Sequence, residues 1–159
     1  MKKKILSLEQ LAAKSGQLKT AGKRVVATNG CFDILHVGHV RYLAAARKLG
    51  DALVVGLNGD SSVRQLKGEG RPVNREQDRA EVLAALESVD YLTIFPELRA
   101  TNFLQAAQPS IYAKGGDYTA DTLDPEERAV LEKFRTKIEI IPFEQGYSTS
   151  QLLTRIGKG

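Results

Sequence analysis

Cysteine occurs once in this chain of 159 residues, at Cys31, and tryptophan not at all. A single cysteine makes no internal disulfide, so a disulfide scaffold is excluded and a reducing cytoplasm is the expected setting. Histidine is almost as scarce, with only His36 and His39. A zinc site wants further His, Cys or carboxylate ligands, so no zinc site is expected and no residue is assigned as a metal ligand. No apolar run approaches the roughly 20 residues that span a bilayer. No signal-type apolar segment follows Met1-Lys2-Lys3-Lys4. No membrane partner is therefore expected. The net charge of +4 is small, and basic residues do not interleave with aromatics as they do where single-stranded nucleic acid lies. Nucleic acid is not an expected partner, and the surplus charge suits an anionic small molecule as well.

What is there describes one domain with enough chain for a sizeable core. Residues 1–23 read as an N-terminal helical extension. Ser7-Leu8-Glu9-Gln10 has capping-box spacing, and the helix runs through Leu11 and Leu18 toward Gly22. From 24 to 159 strands and helices alternate. Strands are predicted at 24–28, 52–57, 91–95, 110–113 and 138–142. A helix over 38–49 ends at Gly50. The stretch 58–74 reads as a short helix and then a loop, since it holds Gly59, Gly68, Gly70 and Pro72. Further helices are predicted at 76–89, with Val82, Leu83, Leu86 and Val89 on one stripe, at 99–107, and after Asp124-Pro125-Glu126-Glu127. The last covers 148–156, with Leu152, Leu153 and Ile156 facing inward. The alternation predicts an α/β fold, a Rossmann-like three-layer sandwich with a parallel sheet of about five strands. Ligands of such sheets bind at the carboxyl ends of the strands.

Each chemistry-bearing segment follows a strand. The first is Asn29-Gly30-Cys31-Phe32-Asp33, leading to His36-Val37-Gly38-His39. Residues at i and i+3 share a helix face, so both imidazoles are expected at one helix N-terminus, where backbone N–H groups favour an anion. Gly38 lets a phosphate approach the backbone. A His-x-x-His pair is also compatible with a surface pair or half of a metal site. Asp33 is placed to hold Mg²⁺ or a substrate hydroxyl, or to cap a turn. The second segment brings Asn58, Asp60, Lys67, Arg71 and Arg79. Cations on a glycine-rich loop suit charge neutralisation in phosphoryl transfer, although such residues are also commonly just solvated. The third is Lys114-Gly115-Gly116-Asp117-Tyr118, either a plain turn or a backbone approach to base or sugar with Asp117 as acceptor. The fourth is Gly146-Tyr147-Ser148-Thr149-Ser150, where Ser148 and Gln151 form a capping pair and Thr149 and Ser150 exceed what a cap requires.

Gly30-Cys31-Phe32-Asp33-Ile34-Leu35-His36-Val37-Gly38-His39 resembles the signature of the cytidylyltransferase-like nucleotidyltransferase superfamily. Asn58-Gly59-Asp60, Lys67-Gly68, Arg71-Pro72 and Arg79 match the middle of its pattern, and 146–150 its closing motif. The resemblance runs from Arg24 to Ile156. It implies that 24–159 is the nucleotidyltransferase domain. Lys114-Gly115-Gly116-Asp117-Tyr118 is most similar to the heptose 1-phosphate adenylyltransferase branch. Glu144-Gln145 departs from the Arg-Thr of glycerol 3-phosphate cytidylyltransferases.

That likeness implies transfer of AMP from ATP, with Mg²⁺, to a heptose 1-phosphate, giving ADP-heptose for lipopolysaccharide synthesis. The catalytic residues would be His36, His39 and Lys67. Asn29, Gly30, Cys31, Phe32, Gly38, His39, Lys114, Gly115, Asp117, Tyr147, Ser148, Thr149 and Ser150 would bind the nucleotide, and Asp33, Asn58, Asp60, Arg71 and Arg79 the sugar phosphate. The family implies a homodimer. Its heptose members often follow a sugar kinase, and no kinase segment stands in this sequence, so a separate kinase is expected. A cytidylyltransferase of an alcohol phosphate and a non-catalytic nucleotide-binding module are the competing expectations.

Overall fold

The computed structural model describes residues 2–116, 122–142 and 146–158. Helix α1 (Leu8–Thr20) precedes β1 (Val25–Gly30), α2 (Val37–Arg47) and β2 (Ala52–Asn58). Helices α3 (Asp60–Lys67) and α4 (Glu76–Ala84) lead to β3 (Tyr91–Phe95), α5 (Thr101–Ala107) and β4 (Ile111–Gly115). Then come α6 (Pro125–Lys133), β5 (Lys137–Ile141) and α7 (Thr149–Lys158). The five strands form one sheet in the order β3-β2-β1-β4-β5, and every pairing is parallel. The predicted Rossmann-like architecture is what the chain adopts.

Alternation along the strands explains the three layers. Val25 and Ala27 of β1 join a core with Leu11 of α1, Phe103 and Leu104 of α5, and Val130 and Leu131 of α6. Val26, one residue out of phase, joins a second core with Leu43 of α2 and Ala80 and Leu83 of α4. Successive strand side chains point to opposite faces, so a strand apolar at every position must be covered on both. β2, buried along its whole length, is the clearest case. The helix over 1–23 does not stand apart from this sheet, because Leu11 is fully buried in the first core.

Local signals place most boundaries. Ser7 Oγ accepts from the Gln10 N–H, and Gln10 reaches back to the Ser7 N–H, a complete capping box. Asp124 accepts from the Glu126 and Glu127 N–H groups ahead of Pro125. Three expectations are corrected. Helix α4 stops at Ala84 instead of 89, and it buries Arg79, Ala80, Leu83 and Ala84 while Val82 stays exposed. Gly50 does not cap α2, which ends at Arg47 with Lys48 as its C-cap. A Cβ on Gly50 would stand 2.8 Å from the Arg24 carbonyl oxygen, so the glycine serves a close chain approach. Ile156 of α7 faces solvent, not the core. Among the described residues no helix is long and apolar enough to cross a membrane.

Candidate functional site

The strand order reverses direction between β1 and β4, and the carboxyl ends of these strands open a cleft of about 1090 Å³. Such a reversal splays the two following connections apart, leaving a crevice where ligands bind. Asn29, Gly30, Cys31, Phe32, His36, Gly38 and His39 line it from β1 and α2. Asn58, Lys67 and Arg71 line it from the β2 side, and Lys114, Gly115, Tyr147, Ser148, Thr149 and Ser150 from the other. Four segments separated in sequence thus meet at one edge.

The two histidines meet by a different geometry from two residues on one helix face. His36 is the N-cap of α2, with extended backbone at φ −138° and ψ 176°, and His39 lies in the first turn. His36 Nδ1 accepts from the Gly38 N–H at 3.1 Å, and His39 Nδ1 accepts from the His36 N–H at 3.3 Å. The rings stack with centroids 3.9 Å apart. Each Nδ1 is an acceptor, so each neutral ring carries its proton on Nε2. Burial lowers the pKa of His36. Burial, helped by the neighbouring His36, pushes His39 down to about 4. At neutral pH the pair is therefore two uncharged N–H donors. Phe32, held at a left-handed φ of 45°, meets His39 edge-on with ring centroids 5.5 Å apart. Gly38 has a packing role besides the expected one: a Cβ there would lie 2.9 Å from both His36 Cε1 and Tyr147 Cβ. Tyr147 stacks on His36 with centroids 6.4 Å apart, and Arg41 stands over the Tyr147 ring.

Three residues expected at the substrate, Arg79, Asp60 and Asp33, are held in structural ties. Arg79 is buried, and four of its N–H groups are committed to the Asn74, Cys31 and Asn58 carbonyls and to Asp60 Oδ1. Neither Arg79 nor Asp60 lines the cleft. Asp60 faces a smaller depression with Arg64 and Arg75. Asp33 touches the cleft wall but is only 3% exposed. Its carboxylate accepts from the Val73 and Asn74 N–H groups and from Arg71 Nε at 2.8 Å. Burial works to raise its pKa, and these bonds outweigh it, so the carboxyl sits below its usual range. Asp33 thereby fastens the loop that carries Arg71. Its oxygens are taken, and among the described residues no group of three or more His, Cys, Asp or Glu comes together to hold a metal ion. The described side chains do not fit a resident Mg²⁺ site.

Ser148 Oγ accepts from the Gln151 N–H at 3.0 Å, the expected cap, and Thr149 Oγ1 donates to the Ile34 carbonyl. That bond ties the start of α7 to the loop before the histidines. Lys114 lines the cleft, and burial lowers its pKa against the opposing pull of Glu127. Asp117, Tyr118, Glu144 and Gln145 lie outside the described residues. Arg41 and Tyr112 went unnoticed in the sequence. Arg41 lines the cleft two residues beyond His39. Tyr112 stands two residues before Lys114 on the same strand face, and that spacing is the signal that would have found it.

A family model described as cytidylyltransferase-like matches residues 27–155. The chain belongs to the cytidylyltransferase-like family. That family comprises nucleotidyltransferases. Among curated proteins the chain is similar to the bifunctional protein HldE of Geobacter sulfurreducens, 46% identical over 155 residues that cover 98% of this chain and 31% of that protein. It is also similar to the HldE of Geotalea uraniireducens, 48% identical over 156 residues, again 98% and 31%. The chain thus spans about a third of the length of these relatives. Among solved structures, the lipopolysaccharide core biosynthesis protein of Thermoplasma volcanium superposes with a TM-score of 0.63 at 30% identity. The match covers 80% of this chain and all of that one. A pantoate-beta-alanine ligase from Francisella tularensis shares the fold at a TM-score of 0.57 and 16% identity, over 89% and 67% of the two chains.

Proposed function

We propose that this cytidylyltransferase-like chain transfers AMP from ATP to a sugar 1-phosphate, with D-glycero-β-D-manno-heptose 1-phosphate as the acceptor. A phosphate oxygen of the sugar attacks the α-phosphorus of ATP. The bond from that phosphorus to the oxygen bridging to the β-phosphate breaks, and pyrophosphate leaves. ADP-heptose is the product, and the acceptor itself requires an earlier kinase step on the sugar. The domain 24–159 would carry this reaction, with residues 1–23 bracing it.

The observation that carries the reading is the histidine pair, two neutral Nε2–H donors at the floor of the β1–β4 cleft. The transferring phosphorus gains negative charge on its equatorial oxygens, and fixed donors aimed at that charge lower the barrier without rearranging. His36 and His39 would bind those oxygens. Lys67 and Arg71, on the opposite wall, would neutralise charge on the attacking and leaving phosphates. The start of α7, with Ser148, Thr149 and Ser150, would receive the β- and γ-phosphates at its exposed N–H groups. Asn29, Gly30, Cys31, Phe32, Lys114, Gly115 and Tyr147 would enclose the nucleotide, and Asn58 the sugar side. The lipopolysaccharide-related name of the Thermoplasma neighbour and the HldE relatives support the choice of acceptor.

Pyrophosphate release with Mg²⁺, the heptose 1-phosphate and either ATP or CTP tests the reading. Release with ATP alone is expected. Release with CTP alone keeps the chemistry and overturns the base. Nucleotide binding without release for any sugar phosphate would leave a binding module.

A further inference from the structure

Behind the cleft floor, a short hydrogen-bonded chain joins three residues of β1 and β4. Tyr112 is fully buried between Ala27 and Ile138 in the sheet register. Its hydroxyl donates to Asn29 Oδ1, and its oxygen accepts from Lys114 Nζ at 3.2 Å. The Lys114 ammonium also lies over the Tyr112 ring, 5.0 Å from its centroid. The groups present set the donor of each bond: the Lys114 ammonium can only donate, so the Tyr112 oxygen accepts from it, and the Asn29 Oδ1 that meets the Tyr112 hydroxyl can only accept. An asparagine amide has an acceptor end and a donor end. With Oδ1 tied inward to Tyr112, the end of Asn29 left for the cleft it lines is the NH₂ group. Were the amide reversed, an oxygen lone pair would face the ligand and repel a phosphate.

We propose that Tyr112 is a positioning residue, which turns the Asn29 amide so that its NH₂ group faces the cleft and seats the Lys114 ammonium beside it, making the floor between β1 and β4 a two-donor site for a phosphate oxygen. Tyr112 is wholly buried and does not itself line the cleft, so it acts on a ligand through Asn29 and Lys114. Alongside it, Thr28 Oγ1 and Tyr42 OH lie 2.8 Å from one another and each 3.0 Å from the Ala113 carbonyl oxygen, a shared hydrogen-bonded cluster that pins β1, β4 and α2 at the same level. A satisfied polar network of this kind holds the floor that Tyr112 organises in one arrangement. The proposal rests on the nucleotidyltransferase reading for the identity of the phosphate, which belongs either to the nucleotide or to the sugar.

A double-mutant cycle of Tyr112→Phe and Asn29→Asp, read by titration calorimetry, tests it. One arm titrates ATP with Mg²⁺ in the absence of sugar. The other titrates D-glycero-β-D-manno-heptose 1-phosphate in the absence of nucleotide. Tyr112→Phe is expected to weaken one of the two ligands about tenfold, and the arm that moves identifies the phosphate. Asn29→Asp keeps an acceptor for the tyrosine and sets a charged oxygen toward the cleft, so it should weaken the same ligand further. The double variant should match Asn29→Asp within about twofold, since residues acting through one another do not add. Unchanged affinities in Tyr112→Phe, or effects that multiply, would overturn the proposal. Should Tyr112→Phe not fold, Asn29→Asp with both affinities intact overturns it. These are binding equilibria, so binding without turnover would defeat the catalytic reading alone. Binding of neither ligand by the native chain would defeat both.

Discussion

His36 and His39 hold one another through the backbone: the N–H of His36 points at the Nδ1 of His39, while the Gly38 N–H points at the Nδ1 of His36. The helix start thereby orients both rings using donors that every helix leaves unpaired. Side-chain torsions alone would leave each imidazole several rotamers. The reciprocal cap and the 3.9 Å stack leave one arrangement.

On the proposed mechanism, replacing His39 by alanine removes one donor to the charge that develops on phosphorus. Loss of a donor of this type costs about 10² to 10³ in rate. A folded His39→Ala protein is expected to release pyrophosphate slower by that factor. Near-normal turnover would show that His39 does not stabilise the transition state.

Acidification should weaken the fold through His39. The folded chain keeps this imidazole neutral down to about 4, while its ordinary value is 6.5. Between these values the unfolded state binds more protons, so stability falls as pH drops through that window, by at most about 3 kcal/mol. Urea unfolding of native and His39→Gln protein at pH 7 and pH 4.5 checks the sign. The glutamine variant should lose less, and an equal loss would place the proton uptake elsewhere.

Gly38→Ala tests the packing of the pair. Its methyl group would stand 2.9 Å from the His36 ring and from Tyr147 Cβ, so one of them must move. A displacement near 1 Å at a catalytic centre costs on the order of 10²-fold in rate. The variant should melt close to the native temperature and turn over at least about tenfold slower. An unimpaired kcat would mean that Tyr147 yields without disturbing His36.

Arg71 and Arg79 should separate activity from stability. Arg79→Met strips partners from three backbone carbonyls and Asp60, and is expected to cost about 2 to 4 kcal/mol in denaturant unfolding. Arg71→Ala gives up one pairing with Asp33 at the cleft wall. It should cost less stability and more turnover, about tenfold or beyond. The reverse pattern would assign the substrate charge to Arg79.

The sequence showed the α/β alternation, the Ser7 and Asp124 helix starts and the four segments that meet at the cleft, because capping residues and two-sided apolar strands act over a few neighbours. It overreached where the outcome depended on distant contacts. Val82 fits the stripe of a longer helix, yet α4 ends early, and Val89 is buried outside any helix. Ile156 continues an amphipathic pattern with no partner in the described structure to receive it.

Arg79 and Asp33 mark the same boundary inside the site. A charged residue near a glycine-rich loop reads as a ligand contact, and nothing local reveals that carbonyls from three other segments will surround it. By itself the sequence determined which groups reach the strand ends, since periodicity and caps are short-range. Only the tertiary structure decided which of them face the cleft and which tie its walls, because a hydrogen-bonding group is assigned by whatever polar atoms the folded chain brings within about 3 Å of it.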